Sequence, residues 1–179
     1  MLDNKPMSPK EAARHFSVIR EGNCFAHTIR EMERKIYELT GDKRIPFHIT
    51  IKQSLATNGG SAIVFYHSGC TILLPDDCPN QNNKDVRFIL AHELGHISYN
   101  AEKLGIITGR TSPLPDEEIY AWEFAYHLTE IRSNGYRNGV GQEHIFGDDD
   151  LGKLLIYNVK KQRPDIYENM KSFLDGLTI

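Results

Sequence analysis

Apolar residues recur along this chain with two different periods, and the change of period marks where helices give way to strands. In "CFAHTIREMERKIYELTG", residues 24–41, Phe25, Ile29, Met32, Ile36 and Leu39 recur at spacings of three and four. That is one apolar stripe of an amphipathic helix, with Gly41 as its stop. Just upstream, "SPKEAARHF" carries Ser8 as N-cap, Pro9 at the first helical position and Glu11 at the third, a capping box. Ile45 to Ile51 alternates weakly, as a strand does, and "SLATNGGS" is turn chemistry. Ala62–His67 and Thr71–Leu74 are short β-rich runs around a Ser-Gly turn and read as a hairpin that Pro75 closes. After the polar loop "DDCPNQNNKD", a helix is expected over "VRFILAHELGHISYN". The two prolines of "GIITGRTSPLPDE" interrupt it, and a further helix follows over 116–131, with Asp116, Glu117 and Glu118 at its positive end. A Gly-rich connection leads to a tail of two helices split at Pro164. The expected class is α+β: a small sheet with mostly helical flanks.

Composition narrows the setting. A chain of 179 residues with 40% hydrophobic content can bury one core without disulfides. With 21 basic and 24 acidic residues, and no concentrated basic stripe, no direct nucleic-acid contact is expected. Cys24, Cys70 and Cys78 are odd in number and lack CxxC spacing, which points to a reducing compartment. The start of the chain has no apolar signal region, and no apolar run approaches a membrane span. A cytoplasmic protein is expected, with no repeat and nothing that fixes an oligomeric state.

The candidate chemistry lies in "AHELGHISYN", residues 91–100. On a helix, His92 and His96 project from one face a turn apart and can offer their imidazoles to one ion. Glu93 flanks that face and can reach a water there without displacing it. Two neutral imidazoles for the ion and a carboxylate for the proton are the physical content of HExxH. Gly95 is unfavourable inside a helix by about 1 kcal/mol, but lets another element pack closely.

A catalytic site of this kind needs a third protein ligand. Glu102, Asp116, Glu117, Glu118, Glu123, His127 and His144 are the downstream candidates. Glu118 is favoured. Ala121 and Ala125 lie about one and two turns beyond it and permit close packing against Gly95, whereas Glu117 points about 100° away. The window "HELGHISYNAE" has Tyr99 and Glu102 where HExxHxxGxxH needs glycine and histidine, so a third-histidine site of that type is absent.

These residues carry a resemblance. "VRFILAHELGHI" followed by "EIYAWEFAYHL" resembles the ImmA/IrrE family of zinc metallopeptidases, most strongly over about 60–130. The shared positions are Arg87 and Phe88 before the motif, then Glu118, Ala121 and Phe124-Ala125 on the next helix. The resemblance implies a zincin-like minimal metallopeptidase fold; along the chain, residues 1–10 read as a flexible leader, 11–132 as the zincin-like core and 133–179 as a C-terminal helical extension of the same domain. It implies zinc held by His92, His96 and Glu118, with Glu93 as general base. The chain departs from the family at Trp122, where a small polar residue is usual, and at "YHLTE", which ends that helix differently. Both departures bear on substrate choice. Family members cleave repressor proteins, so the implied partner is a protein or peptide, with a DNA-binding repressor as candidate. No helix-turn-helix is found in this chain.

The expected reaction is metal-assisted hydrolysis of a peptide bond, with the peptide added along a sheet edge at Thr71–Leu74 or Ala62–His67. Tyr99, His127, Tyr136 and His144 are the candidate oxyanion donors. Glu123 or Asp116 is expected behind the metal-binding histidines, and Arg87 is expected to fix the motif helix through a carboxylate. Trp122 and Tyr126, a turn apart, are expected to pack. The competing reading is a zinc-containing protein-binding module whose catalysis has faded. Glu93 weighs against it, because a structural zinc needs no base beside its first ligand.

Overall fold

The structure, a computed structural model, describes residues 7–16, 29–34, 37–38, 48–53, 62–66, 69–74, 84–101, 113–137 and 148–177. Its described elements are α1 (Pro9–Phe16), β1 (His48–Gln53), β2 (Ala62–Tyr66), β3 (Gly69–Leu74), α2 (Lys84–Tyr99), α3 (Pro115–Arg137), α4 (Asp148–Gln162) and α5 (Pro164–Asp175), with helical turns also at 29–34 and 37–38. The class is mixed α+β, mostly helical with one three-stranded sheet.

Helix α1 starts where its cap chemistry places it. The Ser8 backbone N–H donates to Glu11 Oε2 at 2.9 Å, and the Glu11 N–H donates back to Ser8 Oγ at 3.3 Å. These reciprocal bonds satisfy two donors that a helix start otherwise leaves open. Ala12 and Ala13 are buried, and α1 lies against α3.

The sheet runs in the order β1-β3-β2. β2 and β3 pair antiparallel, with Ile63 opposite Ile72, as the hairpin reading expects. β1 then adds in parallel to the far side of β3, pairing Ile49 with Cys70. Thr71–Leu74 is thus the middle of the sheet, with both backbone edges bonded, and it cannot accept an added strand. Of the two expected edges, the β2 run is the one at an edge among the described residues. Gly69 opens β3 at φ +158°, and a Cβ there would collide with the His48 carbonyl. Along β3, Cys70, Ile72 and Leu74 are buried while Thr71 and Leu73 are half-buried. Glu33, on the helical turn at 29–34, accepts the Ile49 N–H at 2.8 Å and ties that turn to β1.

Helices α2 and α3 form the centre. Phe88, Leu94 and Ile97 of α2 and Trp122, Phe124 and Leu128 of α3 are fully buried. Each such side chain contributes roughly 1.5–3 kcal/mol by leaving water. α4 and α5 pack on each other and both touch α3, through Leu151, Leu155, Val159, Ile166, Met170 and Leu174. The expected break at Pro164 is present: α4 ends at Gln162 and α5 begins at Pro164. α3 continues to Arg137, six residues past the expected end. The Gly-rich connection expected over 132–150 is helical at its ends, 132–137 and 148–150, while 138–147 and the stop at Gly41 lie outside the described residues.

Candidate metal centre

The site rests on how closely α2 and α3 approach. Gly95 faces Ala121, and both residues are small enough for the helix backbones to meet. That contact lies one turn after Glu118 and one residue before His96, so it carries the Glu118 carboxylate to the histidines.

His92, His96 and Glu118 each place a donor atom within 4.8 Å of the other two, so this buried group could hold a metal ion. The Nε2 atoms of His92 and His96 are 3.1 Å apart. Glu118 Oε2 is 3.5 Å from His92 Nε2, and Glu118 Oε1 is 3.8 Å from His96 Nε2. Ligands about 2.0–2.1 Å from a tetrahedral ion stand about 3.3 Å from one another. The His92–His96 and His92–Glu118 Oε2 spacings lie on either side of that edge, so the group could hold a metal ion with Glu118 bound through Oε2.

The two histidines are shifted in opposite directions. His92 is driven well below the usual histidine range by burial, with the charges of His96 and Arg163 acting the same way. A neutral imidazole is the form that binds a metal. His96 is raised. Burial works against its charge, but the Glu117 hydrogen bond and the carboxylates of Glu93, Glu118 and Glu117 prevail. His96 Nδ1 lies 3.1 Å from Glu117 Oε1, which fixes the ring and leaves Nε2 toward the site. Asn100 Nδ2 donates to the same Glu117 oxygen at 2.9 Å and to the His96 carbonyl at 2.8 Å.

The carboxylate behind the histidines is therefore Glu117, where Glu123 or Asp116 was expected. The 100° step that turns Glu117 from the ion turns it toward the outer nitrogen of His96. Asp116 is exposed, and Glu123 is half-buried, its carboxyl raised by burial.

His92 is held differently. Its Nδ1 has no hydrogen-bond partner among the described residues, and its ring stacks on Trp122 at 3.7 Å between centroids. Phe88 also packs on Trp122, tilted at 32° with 5.8 Å between centroids. Trp122 thus does pack, as expected, but it packs on a histidine of the group that could hold a metal.

Glu93 is buried beside the group, and its charge reaches both His96 and Cys70. Burial pushes the Cys70 thiol up to about 12, with Glu33 and Glu93 adding to the shift, so this cysteine stays an uncharged core residue.

The candidate oxyanion donors separate. Tyr99 is half-buried on α2, and its ring makes a T-shaped pair with Tyr120 at 5.4 Å between centroids. His127 joins Tyr126 and Phe173 in an aromatic cluster, about 13 Å along α3 from Glu118. Tyr136 lies about 27 Å along the same helix from Glu118. The structure does not bring His127 or Tyr136 to the metal group. His144 and Glu102 lie outside the described residues, as does the side chain of Arg87.

Arg163, at the junction of α4 and α5, was not a sequence candidate. Its Nη1 lies 3.0 Å from Glu118 Oε1. Among the described residues no helix is long and apolar enough to cross a membrane. Comparisons of the chain with protein-family models, with curated proteins and with solved structures find no match.

Proposed function

We propose that this chain is a zinc-dependent endopeptidase of the zincin type, resembling the ImmA/IrrE family, and that it cuts a specific protein partner in the cytoplasm. The observation that carries the reading is the convergence of His92, His96 and Glu118 with Glu93 next in sequence to the first histidine. Three protein donors leave one position of a tetrahedral ion for chemistry, whereas a structural zinc takes four. A zinc ion bound by these residues would supply Lewis acidity, activating water and polarising the scissile carbonyl.

The chain's own residues divide the remaining work. Glu93 takes the proton of the attacking water and returns it to the leaving amine. Glu117 and Asn100 hold His96 in one tautomer and orientation. Trp122 and Phe88 close the site against water on the His92 side. The β2 edge, Ala62–Tyr66, accepts the substrate main chain as an added strand. A DNA-binding repressor is the first partner to try, on family resemblance.

Glu93→Gln tests the reading. Purified protein should bind about one zinc per chain, and the variant should keep it. The variant, used as a trap in cell extract, should retain the partner, and cleavage of that partner should fall at least about 100-fold relative to wild type. Equal cleavage by both proteins removes Glu93 as base. A partner that binds zinc-loaded wild type and is never cut turns the assignment to a binding module.

A further inference from the structure

Arg163 brings the C-terminal helix pair to the metal group. Pro164 bars the residue before it from helical geometry, and Arg163 sits at φ −140°, ψ 66°. Its backbone is nonetheless pinned on both sides. The Arg163 N–H donates to the Val159 carbonyl at 2.9 Å, and its own carbonyl accepts the Ile166 N–H at 3.2 Å. The side chain is clamped as well. Asp165 receives Nε at 2.8 Å and Nη2 at 2.7 Å, a two-pronged pair that fixes the guanidinium plane. The remaining arm, Nη1, meets Glu118 Oε1 at 3.0 Å.

That contact decides how Glu118 can bind an ion. Both carboxylate oxygens lie within 4 Å of a histidine Nε2, Oε2 near His92 and Oε1 near His96. Left alone, both can turn to one ion, and the position meant for water or substrate is lost. With Oε1 engaged by Arg163, Oε2 is the oxygen left for the metal. We infer that Arg163, clamped by Asp165, is a positioning residue that makes Glu118 a one-oxygen ligand and so keeps the fourth metal position open. The inference rests on the metal-centre reading. It gives the extension at 133–179 a part in the site, which a helical appendage would not have.

Cobalt(II) is the probe, because its visible absorption falls steeply as coordination rises above four. Wild type loaded with one cobalt should show the intense bands of a four-coordinate site. Arg163→Met keeps the stem and removes the fork; its bands should weaken several-fold as Glu118 closes on the ion with both oxygens. Arg163→Lys restores a positive charge without the two-pronged clamp, and should recover part of the intensity. Identical spectra for wild type and Arg163→Met, with equal cobalt content, overturn the inference and leave the metal centre standing. If wild type takes up no cobalt or zinc, the metal centre itself fails. Should Arg163→Met not fold, Arg163→Lys and Asp165→Asn carry the test. Both must weaken the bands in the same direction, and unchanged spectra in both overturn the inference.

Discussion

A Cβ placed on Gly95 would stand 2.7 Å from Ala121 Cα and 2.8 Å from the Ala121 carbonyl oxygen. Both atoms are backbone, so neither can swing away. Gly95→Ala must therefore push α2 from α3. Helix propensity favours the substitution by about 1 kcal/mol, and overpacking opposes it by about 1–3 kcal/mol. The expected result is a lower urea midpoint together with at least about tenfold weaker zinc binding, since Glu118 withdraws from the histidines. A variant more stable than wild type, with unchanged zinc affinity, would mean that the helices do not meet at this pair.

Glu117 and Glu118 are adjacent and both buried, yet they serve opposite sides of the site. Glu118→Gln removes a charged ligand and should abolish tight zinc binding. Glu117→Gln leaves the ligands in place and loosens His96, so zinc affinity should fall about 10–100-fold. Competition with a chromogenic chelator measures both. Equal losses in the two variants would place both carboxylates on the ion.

Acid should destabilise the metal-free protein through His92. Its folded pKa lies well below the unfolded one, so the unfolded chain binds the extra proton as pH falls through about 6.5. The stability that depends on neutral His92 is thus complete above that pH and declines below it. His96, raised in the fold, acts the other way: its contribution is present below about 6.5 and fades as pH climbs through its folded value. His92→Gln removes the acid-sensitive group and keeps His96. Between pH 7.5 and 5.5 its urea midpoint should drop less than that of metal-free wild type. Parallel slopes would show that His92 accepts a proton readily inside the fold.

What the sequence disclosed was what local periodicity governs. HExxH is a statement about one helical turn, and Gly95, Ala121 and Ala125 are legible because a close helix pair needs small residues at that spacing. Ser8 with Glu11 is likewise local. Sheet order was not legible: Ile49 pairs with Cys70 although β2 lies between them in sequence, and nothing in either run says on which side of β3 the first strand joins. The step of about 100° that turns Glu117 from Glu118's side is legible, but facing away from the shared donors and facing the back of His96 are the same direction, and only the fold tells them apart. Arg163 was out of reach for another reason. It follows Glu118 by 45 positions in sequence, and only the packing of α4 and α5 on α3 makes the two meet.

The chain has one tryptophan, and it lies face to face with His92. Indole emission in this protein therefore comes from a single dye molecule built into the wall of the site. A diamagnetic ion such as zinc leaves a dye of this kind lit, while cobalt or copper, with partly filled d shells, darkens it at contact range. Filling of the centre by such an ion would thus be visible in the unmodified protein by light alone, with the zinc-treated protein as the reference.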